Sequence, residues 1–227
     1  GILMSVSAFS VDIMLPSFAA IVNDLGAPYG SVQWTIAIYM FMAGLAQIVW
    51  GPLSDRIGRR PVLAAGLLIY LSGVALSALA PSIFWLLAGR ALQGFGGAAA
   101  IVMARAIMRD LFSGQELARN LALVTAIFAV GPIFAPLVGA AIAAPFGWRA
   151  IFGALTLFAL GLLSVLVFMP ETIRQKVPEA IAPRVLGSRL VRMVVHPQSR
   201  RFLIVSAVSM AGMLLILTAA PRIYDAE

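Results

Sequence analysis

Seven long apolar runs decide what this chain can become. They cover residues 1–22, 31–50, 62–80, 83–108, 119–142, 148–169 and 202–220. Crossing a hydrocarbon core of about 30 Å takes roughly 20 helical residues, and every run is of that order. A segment immersed in lipid must satisfy its own backbone hydrogen bonds, which leaves helices and closed barrels. Continuous apolar runs lack the alternation of a barrel strand, so they predict membrane-spanning helices. Composition agrees: 62% of the 227 residues are hydrophobic and only 11% are charged, where a soluble domain carries about 25% charge. Disorder, a fibrous repeat and an ordinary soluble enzyme are excluded. The first run has no basic start and is too long and too polar in its middle for a signal peptide.

The connections between runs alternate in charge. The second holds Arg56, Arg59 and Arg60, and the fourth holds Arg105, Arg109 and Arg119. The sixth, residues 170–201, holds Arg174, Lys176, Arg184, Arg189, Arg192, Arg200 and Arg201. The odd-numbered connections and the tail carry only Arg149 and Arg222, and Arg90 lies inside a run. The positive-inside rule places the even connections in the cytoplasm. Topology therefore accounts for the formal charge of +7, and no nucleic-acid partner is called for. The sixth connection is long, basic and punctuated by Pro178, Pro183 and Pro197. It divides the chain into a six-helix bundle (1–169), a basic cytoplasmic linker (170–201) and the first helix of a second bundle (202–227). Gly1 falls inside an apolar run and Pro221 to Glu227 close just after another, so a fragment of a longer protein is expected. The linker is expected to form an amphipathic segment drawn to anionic lipid.

Ionisable groups within a bilayer are costly and point to function. Asp12 lies about ten residues, roughly 15 Å, before the outer end of the first run, a depth where a carboxyl can take up and release protons. Pro16 follows one turn later and permits a kink beside the acid. Arg90 sits about eight residues into the fourth run and must face a partner or a wet cavity. Asp12 has similar depth and opposite sign and is its obvious partner, directly or through water; a fixed ion pair that only sets helix packing is the other reading. Gln93 follows Arg90 on the same helical face. Tyr39, Gln47 and Gln93 are candidates to line a cavity with this pair, and equally suit interhelical hydrogen bonds.

The segment Gly51-Pro52-Leu53-Ser54-Asp55-Arg56-Ile57-Gly58-Arg59-Arg60 has the most specific spacing in the chain. Gly51 permits close helix approach, and Gly58 permits a left-handed turn. Asp55 is an acid at the cytoplasmic end of the second helix. Arg56, Arg59 and Arg60 can hold carboxylates or helix C-terminal carbonyls, a latch that closes in one conformation and opens in another. In the fifth run Gly131, Ala135 and Gly139 recur every four residues, a smooth face for a neighbouring helix, while Pro132 and Pro136 add bends.

The Gly51–Arg60 segment resembles the signature G-x-x-x-D-[RK]-x-G-[RK]-[RK] of the major facilitator superfamily at every defined position. Arg90-Ala91-Leu92-Gln93-Gly94 is similar to that superfamily's helix 4 motif, linked to proton coupling. Gly131-Pro132-Ile133-Phe134-Ala135-Pro136-Leu137-Val138-Gly139-Ala140 resembles its antiporter motif, with Ala140 where a second Gly would sit. Asp12-Ile13-Met14-Leu15-Pro16, Arg109-Asp110, Trp148-Arg149-Ala150-Ile151-Phe152 and Pro170-Glu171-Thr172 resemble the bicyclomycin/chloramphenicol-resistance branch of drug:proton antiporters. The resemblance implies an all-α membrane transporter with twelve helices in two bundles, of which this sequence supplies the first bundle and one helix more. It further implies a monomer in the bacterial inner membrane that exports small, mostly hydrophobic drugs, driven by the proton gradient and without a cofactor. Uptake of a metabolite on the same fold is the alternative, since fold does not fix function. An enzyme is disfavoured: there is no Cys, one His, no paired carboxylates within a helix and no Gly-x-Ser-x-Gly elbow.

Overall fold

A computed structural model describes residues 2–173 and 175–224. Arg174 and residues 225–227 of the expected tail lie outside the described residues, as do the side chains of Arg189 and Arg222. The chain divides into two compact units after Ala180.

In the first unit the opening apolar run is not one helix. α1 (Ile2–Asp12) stops, a turn and a short 3-10 segment (Leu15–Ser17) follow, and α2 (Phe18–Leu25) resumes. Pro16 explains the break. The carbonyl of Asp12 would accept from the amide of residue 16, and proline has none; its ring also crowds that carbonyl. α2 ends on Gly26, whose φ of 58° suits a left-handed helix cap.

The remaining helices are α3 (Tyr29–Ile57), α4 (Arg59–Ala78), α5 (Ile83–Leu111), α6 (Gly114–Phe146) and α7 (Arg149–Phe168). With α1–α2 counted as one broken span, six helices among the described residues are long and apolar enough to cross a membrane. Several run past the limits of their apolar runs: the second run stops at residue 50, whereas α3 continues through Pro52 to Ile57. Hydropathy marks where polar side chains begin. It does not mark where backbone hydrogen bonding stops, and a helix projecting beyond the lipid can carry Ser54, Asp55 and Arg56 without ending.

α5 is the central helix, with α3 and α4 packed against it. Its buried face is built of small residues, Gly89, Gly94, Gly96, Gly97 and Ala98 to Ala100 among them. A Cβ at Gly94 would strike the Tyr39 carbonyl of α3, and one at Gly96 the Tyr70 backbone of α4. Small residues thus bring three backbones together, the arrangement that van der Waals packing favours in lipid. α6 packs along α1, and its Gly131, Ala135 and Gly139 are buried. A Cβ at Gly139 would strike the Ile13 carbonyl, at the break in the first span. The other side of α6 exposes Ile133, Phe134, Leu137 and Val138.

The second unit contains α8 (Pro183–Val195) and α9 (Pro197–Tyr224), separated at His196. α9 carries the seventh apolar run and starts five residues before it.

Candidate functional site

Asp12 is the last residue of α1. It lies in a span of 23 residues, Leu3–Leu25, whose middle is Met14, so the carboxyl enters two residues from the centre. The side chain is partly buried. It makes no ion pair with Arg90; the salt bridges among the described residues are those of Arg59 and Arg149. The direct Asp12–Arg90 pair expected from equal depth is not made in this conformation. Depth along two helices says nothing about the direction in which each side chain leaves its helix.

Arg90 is fully buried within the bundle. Its Nη1 donates to Gln93 Oε1 at 2.8 Å, one turn along α5. Its Nε donates to the Thr35 carbonyl at 3.4 Å, and its guanidinium lies 4.5 Å from the centre of the Tyr39 ring. The face of a phenol ring carries partial negative charge and attracts a cation. Arg90 Nη2 has no hydrogen-bond partner among the described residues; Tyr39 Oη and Gln93 Nε2 make no well-aligned hydrogen bond there, although the hydroxyls of Ser7 and Ser10 lie beside Tyr39 and that of Tyr70 beside Gln93. Next to them, the Ser10 hydroxyl of α1 meets Tyr70 Oη of α4 at 2.6 Å. Of the expected cavity residues, Tyr39 and Gln93 join Arg90. Gln47 does not: it is exposed, and its amide donates to the Ala43 carbonyl of its own helix at 3.4 Å.

At the arginine-rich end of the bundle, Gly58 is the single residue between α3 and α4, with φ of 118°. Arg59 is buried there and donates to three groups: Asp55 Oδ1 at 2.7 Å, Asp110 Oδ2 at 2.9 Å and Ser54 Oγ at 2.6 Å. Asp55 reaches Arg59 because they are four residues apart across the Gly58 turn, whereas Asp110 comes from the last turn of α5. Glu171, just past α7, accepts from the backbone amides of Arg59 and Arg60 at 2.9 and 3.2 Å. These are orphan amides of the first turn of α4, so Glu171 caps that helix from 111 residues or more away. A Cβ at residue 58 would collide with the Glu171 carboxylate, so Gly58 supplies room as well as φ. Arg60 Nη2 closes the loop by donating to the Val167 carbonyl near the end of α7 at 2.8 Å. Thr172 Oγ1 donates to Asp110 Oδ2 at 3.2 Å, and the Val177 amide to the Asp55 carbonyl at 2.8 Å. Burial opposes ionisation of Glu171, but the amides of Arg59, Ile173, Arg60 and Thr172 outweigh it and hold the carboxyl below the ordinary range. Arg56 is exposed and takes no part in this network. Gly51 has only an ordinary contact, its notional Cβ lying 4.0 Å from Val102; the close approach expected there occurs on α5 instead.

A second cluster ties the opposite end. Arg149 pairs with Asp24 Oδ2 and donates to the Ala80 carbonyl at 3.0 Å. Its guanidinium lies 4.2 Å from the Trp148 ring, and Trp148 Nε1 donates to Asp24 Oδ2 at 3.1 Å. Sequence reasoning gave no role to Asp24, Tyr70, Asp110 or Glu171. The usable signal was an acid just beyond an apolar run; which arginine it meets depends on helix packing. Among the described residues no three His, Cys, Asp or Glu side chains gather to hold a metal.

A bundle of membrane-spanning helices with charged groups inside it and ion-pair networks at its ends is the fold of a multi-pass membrane protein. The chain belongs to the Major Facilitator Superfamily, whose family model matches residues 1–226. Members are multi-pass membrane proteins that carry a small-molecule substrate; they are not enzymes. The chain is 31% identical over 99% of its length to the bicyclomycin resistance protein homolog of Haemophilus influenzae, covering 56% of that protein. It is 36% identical over 75% of its length to the chloramphenicol resistance protein of Pseudomonas aeruginosa, covering 41% of that one. The chain thus spans about half the length of the curated relatives it matches. The solved proton:xylose symporter XylE superposes on 96% of this chain, and on 54% of its own, with a TM-score of 0.66 and 15% identity.

Proposed function

We propose that this chain is the first half of a proton-coupled exporter of small, mostly hydrophobic compounds in a bacterial cytoplasmic membrane. The observation that carries the reading is the site of Asp12. A carboxyl near mid-membrane, at a helix break and held by no ion pair among the described residues, is a group whose charge state can change as its surroundings open and close. Kinship to proteins named for resistance to bicyclomycin and chloramphenicol supports drugs as cargo and export as the direction.

In this reading Asp12 takes a proton from outside and releases it inside, and cargo competes with the proton for the opened cavity. Arg90 is a fixed positive charge on α5, the helix beside α1. The unpartnered Nη2 donor of Arg90, with Gln93 and Tyr39 beside it, is available to cargo or to Asp12 when the bundle rearranges. Asp55, Gly58, Arg59 and Arg60 form the cytoplasmic gate, in which Arg59 does the holding; Gly51 and Arg56, of the same segment, flank it without joining the network. In the α6 segment Gly131, Pro132, Pro136 and Gly139, it is Gly139 that seats the helix against Ile13 at the break beside Asp12, and the exposed side of α6 is left for the second bundle.

The test uses the full-length protein in inverted vesicles with an imposed pH gradient. Asp12→Asn abolishes gradient-driven drug accumulation while gradient-free binding persists. Unchanged accumulation removes Asp12 from the mechanism. Depletion of cargo from wild-type inverted vesicles, in place of accumulation, identifies an uptake carrier.

A further inference from the structure

Two facts about α8 point away from simple topology. The stretch from Pro183 to Arg201 contains Arg184, Arg189, Arg192, Arg200 and Arg201 and no Asp or Glu. Within it, residues Pro183–Val195 form a helix of 13 residues, started by a proline in its first turn and stopped before Pro197. The positive-inside rule asks only that arginines be present, not that they be sorted. Here they are sorted. At 100° per residue, positions 184, 188, 192 and 189 fall in one arc of about 140°, which Val185 and Val195 share, and the apolar positions 186, 190, 193 and 194 fall in the opposite arc, which holds no arginine. Arg184, Ser188 and Arg192 are exposed. A helix of this length spans about 20 Å, too short to cross a bilayer but suited to lying along one.

We propose that α8 is an interfacial anchor that lies on the anionic phospholipid surface of the membrane. Its Leu186–Val194 arc enters the headgroup boundary, and Arg184, Arg189 and Arg192 meet lipid phosphates. The partner is identified by charge: an all-cationic amphipathic helix in a chain that already spans the bilayer has an anionic surface within reach. Arginine presents five donors in a planar fork that matches phosphate oxygens. Each basic residue held near such a surface strengthens attachment by about fivefold, so three arginines distinguish anionic from neutral lipid clearly. The consequence for transport is that the linker joining the two halves is pinned to the membrane plane. This inference concerns the linker alone and stands whether the protein exports or imports.

The experiment places a fluorescent thiol label at Leu190→Cys or at Ser188→Cys in the full-length protein, with any cysteine outside these 227 residues replaced by serine, reconstituted in phosphatidylglycerol or in phosphatidylcholine vesicles. In anionic vesicles the Leu190 label is quenched by brominated lipid and shielded from aqueous iodide, while the Ser188 label stays open to iodide. In neutral vesicles, or at 1 M salt, where screening shortens to about 3 Å, the shielding at Leu190 falls at least about fivefold. Arg184→Gln with Arg192→Gln removes the difference between the two lipids and leaves the folded fraction by gel filtration unchanged. Shielding of Leu190 that is equal in both lipids, and without bromolipid quenching, means the arc packs on protein and overturns the proposal. So does free access of iodide in both lipids, or a lipid preference that survives loss of the two arginines.

Discussion

At the arginine-rich end of the bundle one guanidinium, Arg59, lies almost wholly buried between Asp55 and Asp110. At the opposite end Arg149 sits half exposed beside a single carboxylate, Asp24. The two ends resemble each other in chemistry and differ in burial and in connectivity. Arg59 and its neighbours join α3, α4, α5 and the segment after α7. Arg149 joins α2, α7 and the end of α4 through one ion pair and one carbonyl. Water screens an exposed pair and adds little to it. Removing one member of a buried network leaves its partners charged and unsatisfied. The arginine-rich end is therefore the firmer of the two, and an opening that exposes it to water has more to break.

The largest effect is expected from Arg59→Ala. Asp55 and Asp110 then lose the buried guanidinium that lies between them, and the full-length protein loses about 3 kcal/mol of stability; an increase in stability, read by thermal unfolding in detergent, would show that the network opposes folding. Glu171→Gln is the intermediate case. It retains acceptor oxygen but loses the charge at the first turn of α4, at a cost of about 1 kcal/mol or less given its exposure. The pH dependence sharpens this. The folded carboxyl lies below its unfolded value of about 4.3, so its contribution is full above that pH and fades as pH falls through the folded value. Wild type and Glu171→Gln should differ in melting temperature at pH 7 and converge in strong acid. A constant gap would show that the charge of Glu171 is irrelevant. The smallest effect is expected from Arg149→Ala, a change in melting temperature close to experimental scatter, because both partners are half in water. An effect as large as that of Arg59→Ala would erase the distinction between the ends.

What could be read from residues alone follows the range of each interaction. Pro16 announced the break after Asp12 because its missing amide acts one turn away. Gly58 announced the turn through its own φ, and the Asp55–Arg59 pair spans four residues. Gln93 meets Arg90 three residues along the same helix. Contacts between helices were not legible. Tyr39 and Thr35 reach Arg90 from α3, and Asp110 and Glu171 reach the Arg59 turn from α5 and from beyond α7. Hydropathy put Asp12 and Arg90 at similar depth but carried no information on azimuth, and the pair expected from depth is not formed. The same gap separates Tyr39 from Gln47: both are polar positions in one apolar run, yet one faces the buried arginine and the other the exposed side of α3.

Exchange of a proton for cargo at Asp12 is the central step proposed for this transporter. Its most direct measurement is proton release from the purified full-length transporter, in weakly buffered nanodiscs, when a bound drug is added. Wild type releases protons on drug binding, and Asp12→Asn binds drug and releases none. Equal release from both proteins would place the exchanged proton on another group and contradict the account.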